Sequence, residues 1–351
     1  MPRPCRVGIQ LPEVERRVGW PELFSMARTA EGVGFDSLWL GDHLLYDLPG
    51  GVTRGPWEAW TALAALAAAT ERVELGPLVA STSFHAPAML AKQAATVDAI
   101  SGGRLIVGLG AGWNEREYRA FGFPYDRRVS RFEEAFTIIR GLLRGGRVDF
   151  DGAYYRVEDC VLDPGPARPG GPPLMLGSTS PRMMRIGLPY VDAWNVWWSD
   201  YGNTPDGFAA VRDRVDEAVV QAGRMPGEVA ATAAVLVGLP GGTGRLTGDV
   251  SSGPVRAVQG SPADISGHLE AMAGAGATHL QLVVDPITMG SIEMLGDVLA
   301  TLDRNWEKPD AVIKPCEPHR LAEQRACTDG LGGPPCQQYA PLAQEGTGRH
   351  V

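Results

Sequence analysis

Eight short apolar runs recur along the chain: "VGI" (7–9), "SLWL" (37–40), "VELGPLV" (73–79), "RLIVGLG" (104–110), "PLMLG" (173–177), "DAWNVWW" (192–198), "AAVLVG" (233–238) and "HLQLVV" (279–284). The stretches between them carry helical spacing. Leu90, Ala94, Val97 and Ile100 lie three or four apart, as do Phe132, Phe136, Ile139 and Leu143, then Phe208, Val211 and Val215, then Ile292, Leu295, Val298 and Leu302. Such spacing gives each helix one apolar face to lay on a sheet. Strand and helix alternating eight times imply parallel pairing with right-handed crossovers, and eight such units close on themselves. The expected fold is α/β, a (β/α)8 TIM barrel. A doubly wound open sheet is the competitor, suggested by "GLGAG", but Trp113 stands where the third glycine of G-x-G-x-x-G belongs.

Two irregular spacings say where the barrel is decorated, after strands 4 and 7. The first holds a helical stretch (130–144) and "VDFDGAYYRVEDCVLDPGP", whose aromatic and β-branched alternation suits a hairpin. The second, "LPGGTGRLTGDVSSGP" (239–254), is rich in Gly, Ser and Thr and reads as a mobile lid on the catalytic face. Residues 1–307 form the expected barrel domain. Residues 308–351, with six prolines and few large apolar side chains, are expected to be a loosely attached tail.

Composition excludes several classes of function. A net charge of -9 with dispersed acids argues against a nucleic-acid surface. No apolar stretch approaches the roughly 20 residues that cross a bilayer, and "MPRPCRVGIQLPEVERR" lacks a signal-peptide core, so a cytoplasmic location is expected. Five cysteines, an odd number with no C-x-x-C pair, suggest neither disulfides nor zinc. No G-x-S-x-G, H-E-x-x-H or P-loop lysine appears, and no metal site is expected.

Barrel enzymes place their chemistry just after the strands. There this chain puts Gln10, Asp42-His43, "ASTSFH" (80–85), "GAGWNERE" (110–117), "GSTSPR" (177–182) and "NVWW" (195–198). A histidine beside a carboxylate, a glycine-rich segment that a flat ligand can approach, and a Gly-Ser-Thr-Ser turn opening a helix suit a planar, phosphorylated cofactor. On that turn alone, Ser180 as an ordinary N-cap outweighs a phosphate seat. His43 is as readily a structural residue as a functional one, and the tryptophans at 194, 197 and 198 fill core and pocket wall.

"LGDHLL", "AKQAATVDAISGGRLIVGLGAGWNEREYRAFGFPY", "RFEEAFTIIRGLL", "FDGAYYRVED" and "LGSTSPRMMRIGLPYVDAWNVWW" resemble, in order and spacing, the bacterial luciferase-like oxidoreductase superfamily, most closely its F420-dependent branch. The resemblance covers about residues 5–306. It implies F420, or alternatively FMN, bound at the strand ends against a non-prolyl cis peptide, which spacing back from "HAP" puts near Leu78-Val79, followed by Ala80. It implies cofactor contacts at Gly110, Gly112 and Trp113, a phosphate seat at Gly177, Ser178 and Thr179, and catalysis by His43 with Asp42 orienting it or touching the ring. Gln10, Trp57, Trp197 and Trp198 are expected in the substrate pocket. Sugar-phosphate dehydrogenases of that branch carry a glutamate where Trp113 stands, so the substrate expected here has apolar or aromatic surface. The implied activity is hydride transfer to or from a small organic molecule. The alternatives are an FMN-dependent monooxygenase served by a separate reductase and a non-catalytic flavin-binding barrel. A homodimer is also implied.

Overall fold

Strands and helices alternate as the spacing requires in the computed structural model, which describes residues 3–48, 50–243 and 255–306. The barrel strands are β1 (Arg6–Gln10), β2 (Ser37–Leu40), β3 (Glu74–Pro77), β4 (Val107–Gly110), β5 (Leu174–Leu176), β6 (Ala193–Val196), β7 (Ala230–Gly238) and β8 (His279–Asp285). Between and after them run α1 (Trp20–Gly32), α2 (Ala59–Ala69), α3 (Pro87–Ile100), α4 (Glu115–Phe121), α5 (Arg128–Gly145), α6 (Pro181–Gly187), α7 (Pro205–Gln221), α8 (Pro262–Gly274) and α9 (Met289–Trp306). The strands pair in parallel in the order β3-β2-β1-β8-β7-β6-β5-β4, and a further two-residue strand, Ala80–Ser81, pairs with β4. The nine-stranded sheet is thus an eight-unit barrel whose third strand comes in two pieces.

That break corrects the expected continuous strand 73–79. Ladder pairing stops at Pro77, the Leu78-Val79 peptide is cis, and pairing resumes at Ala80 on the other neighbour. Below the break, the ring closes through Leu75: its N–H donates to Arg104 O at 3.1 Å and its carbonyl accepts from Ile106 N at 2.9 Å. Ladders elsewhere are longer, with Thr232–Gly238 in continuous register with His279–Asp285.

The apolar core lies mainly between strands and helices. Leu90, Ala94 and Val97 of α3 are buried, as are Ile292, Leu295, Val298 and Leu302 of α9, whereas Ile100 at the end of its helix is exposed. A small cluster of Trp39, Leu78, Ile106 and Met175 packs separately from that core, with Val79, Ala193 and Trp197 against it. The expected hairpin pairs Arg147–Asp151 with Arg156–Val161. A second, unanticipated, pairs Tyr46–Leu48 with Val52–Arg54, and its turn uses Gly50 and Gly51 at φ of 80° and 75°. No described helix is long and apolar enough to cross a membrane. Most of the expected lid, 244–254, the last residue of the expected barrel domain, 307, and the expected tail, 308–351, lie outside the described residues.

Candidate active site

A cavity of about 430 Å³ opens at the carboxyl ends of the strands. Gln10 reaches it from the end of β1, Asp42 and His43 from beyond β2, Leu78 and Val79 from the break in the third strand, Gly110 to Trp113 from β4, Gly177 to Ser180 from β5, and Asn195 and Trp197 from β6. Most of the expected site residues therefore meet. Three do not line the cavity. Trp57 lies half-exposed beside Trp20, its Nε1 donating to Val18 O at 3.0 Å. Trp198 turns into the core behind Trp197, and Ala80 is buried in its short strand against β4.

Asp42 and His43 are neighbours in sequence but not partners. Asp42, buried, accepts through Oδ2 from Ser81 N at 2.9 Å and faces His85 Nε2 at 2.8 Å. It ties the loop after β2 to the backbone just beyond the cis peptide, and His85, the last residue of "ASTSFH", is its imidazole partner. His43 belongs instead to Glu117, the third residue of α4. Its Nδ1 lies 3.0 Å from Oε2 and 3.2 Å from Oε1 of that carboxylate, which also accepts from Leu44 N at 2.6 Å and Leu45 N at 3.2 Å. Glu117 is wholly buried, while a fifth of the His43 side chain stays accessible. Burial disfavours a charged imidazole, but the Glu117 hydrogen bond, helped by the charges of Glu13, Glu117 and Asp42, outweighs it and raises the His43 pKa above its ordinary value. Tyr46 and Trp113 pack on the ring at centroid distances of 4.6 and 5.6 Å.

The glycines have a specific task. A Cβ on Gly177 would lie 2.3 Å from Val79 Cγ2, one on Gly110 2.9 Å from the same atom, and one on Gly108 2.8 Å from Val79 Cγ1. The missing side chains make room for Val79, which becomes one wall of the cavity. Gly112, at φ 73°, passes so close to Tyr118 Oη and Ser81 Oγ that a Cβ would collide with both. At the rim, Ser178 Oγ accepts from Ser180 N at 3.2 Å, and Ser180 makes no side-chain cap on α6, contrary to its ordinary N-cap reading. On the floor, Gln10 Oε1 is buried without a partner. Sequence reasoning missed Glu13 and Tyr46, and did not single out Glu117 and Asn195 within the segments it placed at the strand ends. A flat ring with polar edges fits this set: one wall is an apolar branched side chain, another is glycine backbone, and the orphaned Gln10 oxygen is a hydrogen-bond acceptor in want of a donor.

A parallel eight-unit barrel with a histidine–carboxylate pair and a glycine-walled slot at its strand ends puts the chain in the (β/α)8 class. A family model described as luciferase-like monooxygenase matches residues 7–239, and the chain belongs to that family. It is 28% identical over 203 residues to 5,10-methylenetetrahydromethanopterin reductase of Archaeoglobus fulgidus, covering 58% of this chain and 56% of that one. It is 34% identical over 172 residues to pyrimidine monooxygenase RutA of Escherichia coli strain SMS-3-5, covering 48% and 46%. The chain thus spans about half the length of the curated relatives it matches. Among solved structures, an F420-dependent secondary alcohol dehydrogenase in complex with an F420-acetone adduct superposes with a TM-score of 0.71 at 19% identity, over 85% of this chain and 99% of that one, a likeness of fold.

Proposed function

We propose that the protein transfers hydride between F420 and a small organic substrate, with His43 moving the accompanying proton. The observation that carries this reading is the His43–Glu117 pair. Nδ1 is committed to the carboxylate, which leaves Nε2 as the nitrogen that can give a proton to, or take one from, a substrate oxygen in the cavity. Glu117 fixes the ring and favours its protonated form. Trp113 and Tyr46 flank it. Leu78, Val79, Gly110, Gly112 and Trp113 would hold the cofactor ring, and the Ser178 and Thr179 hydroxyls with the Gly177 backbone its phosphate; when bound, F420 supplies a two-electron hydride donor or acceptor. Asp42 supports the ring wall through Ser81 rather than taking part in proton transfer.

The test is titration of the purified protein with F420 and with FMN. Tight F420 binding, and a substrate-dependent change in its absorbance, is the expected result. Tight FMN binding with no F420 binding would replace it with an FMN-dependent monooxygenase fed by a separate reductase, a reading favoured by the 34% identity to a pyrimidine monooxygenase. A non-catalytic flavin-binding barrel has no use for a buried carboxylate raising the proton affinity of a cavity histidine. A homodimer is part of the proposal, and sedimentation tests it.

A further inference from the structure

The cavity floor carries a carboxamide whose direction is fixed. Side chains alternate along β6, so Trp194 packs on Phe208 of α7 with ring centroids 5.7 Å apart, while Asn195 turns into the barrel and lines the cavity. Asn195 is 6% exposed, and its Nδ2 donates to Thr232 Oγ1 at 2.9 Å and to Gln281 Oε1 at 2.7 Å. The Thr232 hydroxyl donates to the Trp194 carbonyl at 2.9 Å, and a carbonyl can only accept. The Thr232 oxygen is therefore left to accept, and the atom of Asn195 that faces it must carry hydrogen. Turning the amide over would set two oxygens against each other with no proton between them. Both Nδ2 hydrogens are spent within the barrel, so what Asn195 has left for the cavity is the acceptor Oδ1.

An acceptor at the bottom of a slot walled by Val79 and glycine backbone suits a planar ring with an N–H in its plane. Flavin and deazaflavin rings share one such group, the imide N–H at N3 of their pyrimidine-type ring. We propose that Asn195 Oδ1 accepts the hydrogen bond of that imide N–H and so sets the orientation of the ring in the cavity. The assignment rests on the reading that the cavity takes a ring of this type. It holds for F420 and FMN alike, because the edge is common to both.

The experiment measures binding by fluorescence, using riboflavin, 5-deazariboflavin and the N3-methyl derivative of each with the full chain. Methylation removes the donor, so the wild-type protein should bind the methylated form of whichever ring it accepts about tenfold or more weakly, the scale of one buried hydrogen bond. In Asn195→Ala, parent and methylated rings should bind within about threefold of each other, since the partner is gone and space has opened. Equal binding of parent and methylated rings by the wild type overturns the assignment without any variant having to fold. So does loss of the discrimination in Gln10→Leu with its retention in Asn195→Ala. If neither parent ring binds and neither FMN nor F420 binds, the flavin-type reading itself fails, a result distinct from binding without a methylation penalty.

Discussion

Replacing Glu117 by Gln removes the charge opposite His43 while keeping the shape of the side chain. The imidazole should then titrate at lower pH than in the wild type, and its ring-proton NMR signals followed against pH will show the difference. The sign of the linked stability follows from the raised pKa. The charge-dependent part of the pair's stabilisation is fully present below about pH 6.5, the unfolded value, and is lost as pH rises through the higher folded value. Wild type should therefore exceed Glu117→Gln in unfolding free energy most clearly in acid, with the gap narrowing above neutrality. His43→Ala should lower turnover about 100-fold or more with cofactor affinity nearly unchanged. Asp42→Ala should behave differently, lowering melting temperature and cofactor affinity together, because it abandons Ser81 N and His85 at a cost of about 1 to 3 kcal/mol. The sequence makes Asp42-His43 look like a pair, yet Asp42 is taken up by Ser81 N and His85. The true partner of His43 is 74 positions away. Local reading is actively misleading there, because Asn114 followed by Glu117 has the spacing of a capping box, and Glu117 spends its carboxylate on His43 and two distant amides instead.

At the scale of elements, the glycines of β4 and of the turn after β5 are complements of one valine. Gly177→Ala should cost about 1 to 3 kcal/mol of stability, the usual range for an overpacked site. Adding Val79→Ala should return much of the loss, since the collision is with the valine methyls. Chemical denaturation of the two single variants and the double variant gives the coupling directly, and simple additivity would show that Val79 does not fill that space. Apolar periodicity located all eight barrel strands, because strands buried on both faces read as short continuous runs. It did not locate the break in the third, whose residues stay apolar through Leu78, Val79 and Ala80 while the pairing changes neighbour. Nor did it find the Tyr46–Leu48 hairpin, whose strands are too short to show alternation.

For the molecule as a whole, the barrel was legible because alternation of strand and helix leaves few topologies. The hydrogen-bonded interior, Ser37 with His279 at 2.7 Å and Asn195 with Thr232 and Gln281, was not, since the partners come from different strands, far apart in sequence. The join between the third and fourth strands is made by the bonds of Leu75 below and by Ala80–Ser81 above. Short ladders open at lower free energy than long ones, so amides at Leu75 and Ile106 should exchange with solvent faster than those of Val235 or Leu282, and hydrogen exchange by mass spectrometry can rank them. The ring of strands has a clasp. It lies where Val79 enters the cavity wall, so a ligand resting there would press both halves of the clasp together, and its binding energy would count toward keeping the whole barrel shut.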